Sequence, residues 1–130
     1  MDTPGPKILI VDDDPALLKM MGLFLNRMGY QVTTMDGTDR AWTEMESRVS
    51  EFAGAVLDAS MAGLSTQDLA LRLLSANPSL CVVVASGYPV DMSALEAAAD
   101  ARVMFVQKPF TAETLSVALR RMIAAQKKDI

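Results

Sequence analysis

The chain has 130 residues, 51% of them hydrophobic and 22% charged, a size that one compact domain fills and a composition that excludes disordered and collagenous classes. Its formal net charge of −4 and pI near 4.7 argue against a surface for nucleic acid, which needs clustered Lys and Arg. With no histidine and one cysteine, His-based metal sites, Ser-His-Asp chemistry, an internal disulfide and a role as phospho-histidine donor are all excluded.

In chain order, Lys7–Val11 is a short apolar, β-branched run of strand type. Residues 15–28 have helical spacing and start on Pro15, where a missing N–H leaves nothing unbonded. Lys19, Gly22 and Asn26 mark its expected wet stripe, Leu17, Met21, Leu25 and Met28 the opposite side, and Gly29 its C-terminal stop. Gln31–Met35 is the second strand, and residues 38–49 place Trp42, Met45 and Val49 on one face of a second helix. Residues 54–57 form the third strand. Ser65 then opens a third helix, with Asp68 as capping-box partner, and Asn77-Pro78 ends it. Residues 80–85 are the fourth strand, with Cys81 a small buried hydrophobe. An Ala-rich fourth helix spans about 91–99 and Val103–Gln107 is the fifth strand. The last helix runs from Thr111 to about Gln126, with Leu115, Ala118, Leu119 and Met122 buried. Arg120, Arg121, Lys127 and Lys128 are expected at its negative pole. Met20, Met21, Met28, Met45 and Met122 are read mostly as core gap-fillers. No secretory signal or transmembrane-length stretch is visible, so the cytoplasm is the expected location and no membrane an expected partner.

Strict alternation of strands and helices implies right-handed crossovers and an α/β fold, a parallel sheet with helices on both faces. One domain is expected over residues 1–130, with its core at about 7–126. Functional residues in such sheets gather at the carboxyl ends of the strands. Here the first strand ends in Asp12-Asp13-Asp14, the third in Asp58, the fourth in Ser86 and the fifth in Lys108-Pro109. Asp14, directly before Pro15, is expected to cap the first helix. Asp12, Asp13 and Asp58 on one edge would repel one another unless cations neutralised them. Lys108 supplies one charge, and oxygen-only ligands suit Mg²⁺ (or Mn²⁺) for the rest. Such a metal beside a serine hydroxyl and a lysine fits phosphoryl transfer, where catalysis is positioning and charge neutralisation. A carboxylate can itself be the acceptor. Spacing alone does not say which carboxylate that is.

Residues 8–15 (ILIVDDDP), 55–64 (AVLDASMAGL), 83–87 (VVASG) and 105–110 (FVQKPF) resemble, in wording, order and spacing, the receiver domains of bacterial response regulators and hybrid histidine kinases. The resemblance implies a flavodoxin-like doubly wound sheet of five parallel strands in order 2-1-3-4-5, with five helices. It implies Asp58 as phosphoacceptor, Asp13 as direct Mg²⁺ ligand, Asp12 holding the metal mostly through water, and the Ser60 backbone carbonyl as a further ligand. Ser86 resembles a switch hydroxyl assisted by the Gly87 amide. Lys108 resembles the phosphate-pairing lysine, whose bond to the following proline is often cis in this family. Phe105 stands at the aromatic switch position, with core filling an equal alternative, while Ser60 and Tyr88 would tune hydrolysis through access of water. The implied partners are a histidine kinase or histidine phosphotransfer protein as donor, and a downstream protein or attached output domain. Signalling would pass through a face built from the fourth helix, fifth strand and fifth helix, which also allows a homodimer. The chain reads as a free-standing receiver or one cut from a larger regulator, and residues 86–88 and 106–110 are similar in wording to receivers attached to hybrid kinases.

Three places depart from the family pattern. Ala62 stands where proline is usual and is expected to loosen its loop, and Thr66 follows where a glycine is usual. The glycine usual before the fifth strand is missing from residues 97–101, so the end of the fourth helix is expected to differ. Two other readings stay open: a haloacid-dehalogenase-like phosphatase, from Asp-x-Asp after a strand, and a pseudo-receiver that binds without phosphorylation. Pro15-Ala16 and the lack of an acidic pair after Lys108 oppose the first; the complete acid set opposes the second. A flavin site lacks its phosphate loop.

Overall fold

The computed structural model describes residues 5–61 and 63–127. Five strands, β1 (Lys7–Val11), β2 (Gln31–Met35), β3 (Gly54–Asp58), β4 (Cys81–Ser86) and β5 (Val103–Gln107), alternate with the α-helices α1 (Pro15–Arg27), α2 (Thr38–Met45), α3 (Thr66–Ala76), α4 (Ser93–Ala99) and α5 (Ala112–Lys127). All strand pairs are parallel, in the order β2-β1-β3-β4-β5.

Successive side chains on a strand point to opposite faces, so these near-continuous apolar strands need two helical layers. Ile8, Ile10, Val56 and Val83 pack with Met21 and Leu25 of α1 and with Leu115 and Leu119 of α5. Leu9, Val11, Leu57 and Val84 pack on the other side with Met45 of α2, Leu69 and Leu73 of α3 and Leu95 of α4. Each such fully buried aliphatic side chain stabilises the fold by about 1.5–3 kcal/mol relative to exposure. Cys81 lies in the first of these layers, a free thiol, and burial pushes its pKa up to about 11 against the opposing pull of Arg102. It is packing material.

Local signals place the helix ends. The Asp14 side chain accepts hydrogen bonds from the N–H groups of Ala16 and Leu17, a side-chain cap on α1. At the other end Gly29 has φ 102°, the N–H of Gly29 donates to the Asn26 carbonyl and that of Tyr30 to the Leu25 carbonyl. That bond pair is the Schellman motif, and the left-handed residue in it favours glycine. Ser65 accepts from the Asp68 N–H and caps α3, and Asn77 ends that helix.

Several expectations need correction. Gly22 is buried, not wet. Its Cα face looks onto Val32 and Thr34 of β2 at ordinary contact distance, because α1 lies over the β1–β2 side of the sheet and needs a small residue there. Met28 and Met20 are each 46% exposed; Met28 follows the last helical residue and reaches past the layer that Met21 and Leu25 fill. Helix α2 stops at Met45, and Val49 is buried from a separate 3₁₀ turn, Val49–Glu51. Helix α4 begins at Ser93, with Asp91 accepting from the Ser93 N–H. Its end runs into a 3₁₀ turn, Asp100–Arg102. Arg120 and Arg121 lie mid-helix in α5, not at its negative pole. Ala62, Lys128 and the calls made on them fall outside the described residues.

Candidate functional site

Register brings the acids together. Val11 of β1 pairs with Leu57 of β3, so Asp12 and Asp58, one residue further on, end neighbouring strands on the same face. Both are 3% exposed. Asp13, the next residue, is exposed. Carboxylate oxygens of Asp12, Asp13 and Asp58 all lie within 4.8 Å of one another.

Lys108 answers this charge from two residues beyond Val106, which pairs with Ala85 beside Asp58. Its Nζ donates to Asp12 Oδ2 at 2.9 Å and sits 3.3 Å from Asp58 Oδ1. Burial, the largest single influence, lowers the lysine pKa, but the hydrogen bond and charge of Asp12, with those of Asp58, outweigh it and hold the pKa above the ordinary value. The ammonium therefore keeps its proton throughout the physiological range. The Lys108–Pro109 peptide bond is cis, and the Lys108 N–H donates to the Ser86 carbonyl.

The two oxygens of Asp58 differ. Oδ1 accepts from the Ser60 hydroxyl at 3.1 Å and the Ser60 N–H at 3.4 Å, and faces Lys108. Oδ2 receives no hydrogen bond among the described residues. Asp12 Oδ1 accepts from the Asp14 N–H at 2.9 Å, so its oxygens are both engaged, whereas the Asp13 carboxylate has no partner among the described residues. Ser86 is buried at the end of β4, its Oγ accepting from the Tyr88 N–H at 3.1 Å. Gly87 is open, Tyr88 is 78% exposed, and Phe105 is half-buried on β5.

Oxygen-only donors of opposite burial, two anchored and one free, suit a hard divalent cation such as Mg²⁺, which keeps several waters and takes few carboxylates. The residues present fit that ion.

The family model of the response regulator receiver domain matches residues 8–120. The chain is a response regulator receiver domain. As such it is a two-component signalling switch, which sets aside the dehalogenase-like alternative. The receiver is 29% identical over 118 residues to the C4-dicarboxylate transport transcriptional regulatory protein DctD of Rhizobium meliloti, covering 90% of this chain and 25% of that protein. It is also 29% identical over 120 residues to the sensor kinase CckA of Brucella abortus, covering 92% of this chain and 13% of that one. It thus spans about a quarter or less of these two relatives. Among solved structures, a receiver domain protein from Clostridium thermocellum superposes with a TM-score of 0.82 at 23% identity, covering 96% of this chain and 99% of that one. The BeF3-activated DrrB receiver domain superposes at 0.75 with 28% identity, covering 92% and 98%. No described helix is long and apolar enough to cross a membrane.

Sequence reasoning named every residue of the acid cluster and Lys108. It missed two contacts. Thr66 Oγ1 donates to the Asp58 carbonyl at 2.6 Å, and Asp39 of α2 accepts from the Leu64 N–H at 3.1 Å. Thr66 stood out only as a missing glycine, and nothing local marks Asp39, whose partner lies 25 residues away.

Proposed function

We propose that Asp58 accepts a phosphoryl group from a phospho-histidine on a kinase or phosphotransfer protein, with Mg²⁺ bound at Asp12, Asp13, Asp58 and the Ser60 carbonyl. The observation that carries this reading is the buried Asp58 carboxylate between two more acids and a protonated lysine. Ser60 and Lys108 occupy Oδ1, so the free Oδ2 is the nucleophile. It forms the new O–P bond as the donor's P–N bond breaks and the imidazole takes up a proton. Bound Mg²⁺ supplies charge neutralisation to the phosphoryl oxygens. The Lys108 ammonium holds their remaining charge, and positioning with preformed charge is most of what a loose phosphoryl transition state needs. Ser86 would exchange its bond from the Tyr88 N–H for one to a phosphoryl oxygen, with the Gly87 amide beside it. Its movement frees space for Phe105 and biases the α4-β5-α5 face between two packings. The receiver also catalyses its own dephosphorylation, with Ser60 and Tyr88 setting the access of water.

We take residues 1–130 as one receiver unit acting in the cytoplasm. The face it switches serves a downstream protein, an attached output domain or a second copy. The wording at residues 86–88 and 106–110 favours a hybrid kinase as the parent, and CckA, among its relatives, is a sensor kinase.

Intact mass after incubation with acetyl phosphate and Mg²⁺ tests the acceptor. A gain of one phosphoryl group that needs Mg²⁺ and vanishes in Asp58→Asn is expected. A wild type that takes no phosphoryl group from either acetyl phosphate or a phospho-histidine donor would favour the pseudo-receiver reading.

A further inference from the structure

The loop from Ala59 to Ser65 carries Ser60, and with it a carbonyl that the reading above gives to the metal. Two features by which the family usually shapes this loop, a proline and a glycine, are replaced by Ala62 and Thr66. Yet side chains tie down both ends of its second half. Thr66, 6% exposed at the first position of α3, donates its hydroxyl to the backbone carbonyl of Asp58 itself, at 2.6 Å. Asp39, reaching across from α2, accepts the Leu64 N–H at 3.1 Å. Gly63 lies beneath the same carboxylate with φ 93°, and a Cβ there would fall 2.6 Å from Asp39 Oδ2. Ser60 closes the first half through its two bonds to Asp58 Oδ1.

We propose that Thr66 and Asp39 are positioning residues that clamp the β3–α3 loop in its metal-binding shape, Thr66 from inside and Asp39 from outside. The proposal rests on the Mg²⁺ site described above and adds residues that touch neither metal nor phosphate. A ligand's apparent affinity falls by the fraction of protein in the competent conformation. Releasing the clamp lowers that fraction before any metal arrives. The inner bond counts for more: it is buried, and breaking it leaves a carbonyl without that partner in a dry place, whereas water replaces the exposed Asp39 carboxylate at little cost.

The test is a calorimetric Mg²⁺ titration of the full chain with hydrogen exchange of the 59–65 loop in metal-free protein and urea unfolding alongside. Thr66→Val, which keeps shape and deletes the hydroxyl, is expected to weaken Mg²⁺ binding about tenfold, the size of one buried hydrogen bond. It also speeds loop exchange. Thr66→Ser restores the hydroxyl and stays within about twofold of wild type on the same scale. Asp39→Ala, an exposed change that leaves folding intact, weakens binding about two- to threefold, and Asp39→Asn, which retains an acceptor oxygen, does not. A Thr66→Val protein that loses urea stability but binds Mg²⁺ like wild type reduces Thr66 to a structural residue and overturns the clamp. So does an Asp39→Ala protein with unchanged loop exchange. Wild type that binds no Mg²⁺ overturns the underlying site instead, and the two failures cannot be confused.

Discussion

At the scale of single residues, Lys108 decides whether the acid edge is stable. Asp12 and Asp58 are almost fully buried with their ammonium partner between them. Removing one partner of such a group strands the others, which costs more than the pair gains. Lys108→Met keeps the stem and deletes the charge, and is expected to cost on the order of 2 kcal/mol in urea unfolding without metal. The pH dependence has a definite sign. Burial alone would lower the lysine pKa, but the bonds and charges of Asp12 and Asp58 raise it above 10.5 overall. A raised folded pKa means the contribution is fully present below the unfolded value and is lost as pH rises through the folded one. The stability difference between wild type and Lys108→Met should therefore be flat from neutral pH up to about 10 and shrink above it. A difference that instead shrinks between pH 7 and 9 would show that the ammonium is not what the acids hold.

Among the elements, the helices carry the features that sequence could not announce. Ser116 of α5 is buried and its hydroxyl finds no partner among the described residues. Ser116→Ala removes that unmet group and places a better helix former in α5, so it should stabilise the receiver by about 1 kcal/mol. A loss of stability by urea titration would mean the hydroxyl has a partner after all. Arg102, in the 3₁₀ turn after α4, donates to the carbonyls of Leu74, Asn77 and Leu80. It closes the C-terminal end of α3 from outside, satisfying carbonyls that helix geometry leaves open. Arg102→Met should cost about 1–2 kcal/mol and speed amide exchange first in the last turn of α3. The contrast with what was readable is physical. Strands, helix phases, the Asp14 and Ser65 caps and the Gly29 stop are encoded by neighbours a few residues apart. Residues 12, 58 and 108 were legible because parallel alternation puts every strand's carboxyl end on one edge, and the family resemblance supplied the strand order that makes them neighbours. Arg102, Thr66 and Asp39 act on backbone groups 8 to 28 residues away, and no local pattern marks the recipient. Gly22 was misread for a related reason. Its stripe is polar by composition, yet the side of α1 that meets β2 wants a small residue whatever its hydropathy.

For the whole molecule, metal binding and folding are linked, because a ligand that binds only the folded chain stabilises it by mass action. At a hundred times its dissociation constant Mg²⁺ should add about 2.7 kcal/mol, read as a rise of several degrees in the unfolding temperature that chelation reverses. Asp13 separates this effect from general screening of the acidic chain. Its carboxylate is exposed and has no partner among the described residues, so Asp13→Asn should leave metal-free stability within about 0.5 kcal/mol of wild type. Asp12 and Asp58 offer no such clean substitution, since each is also a partner of Lys108. If Mg²⁺ is held at this edge, Asp13→Asn loses most of the Mg²⁺-dependent gain while its metal-free curve is unchanged. If the gain persists, the ions act on the net charge of −4 spread over the chain. NaCl at matched ionic strength should then reproduce it. The opposite burial of adjacent Asp12 and Asp13 is what makes the experiment decisive: one acid builds the edge, and its neighbour faces outward from it.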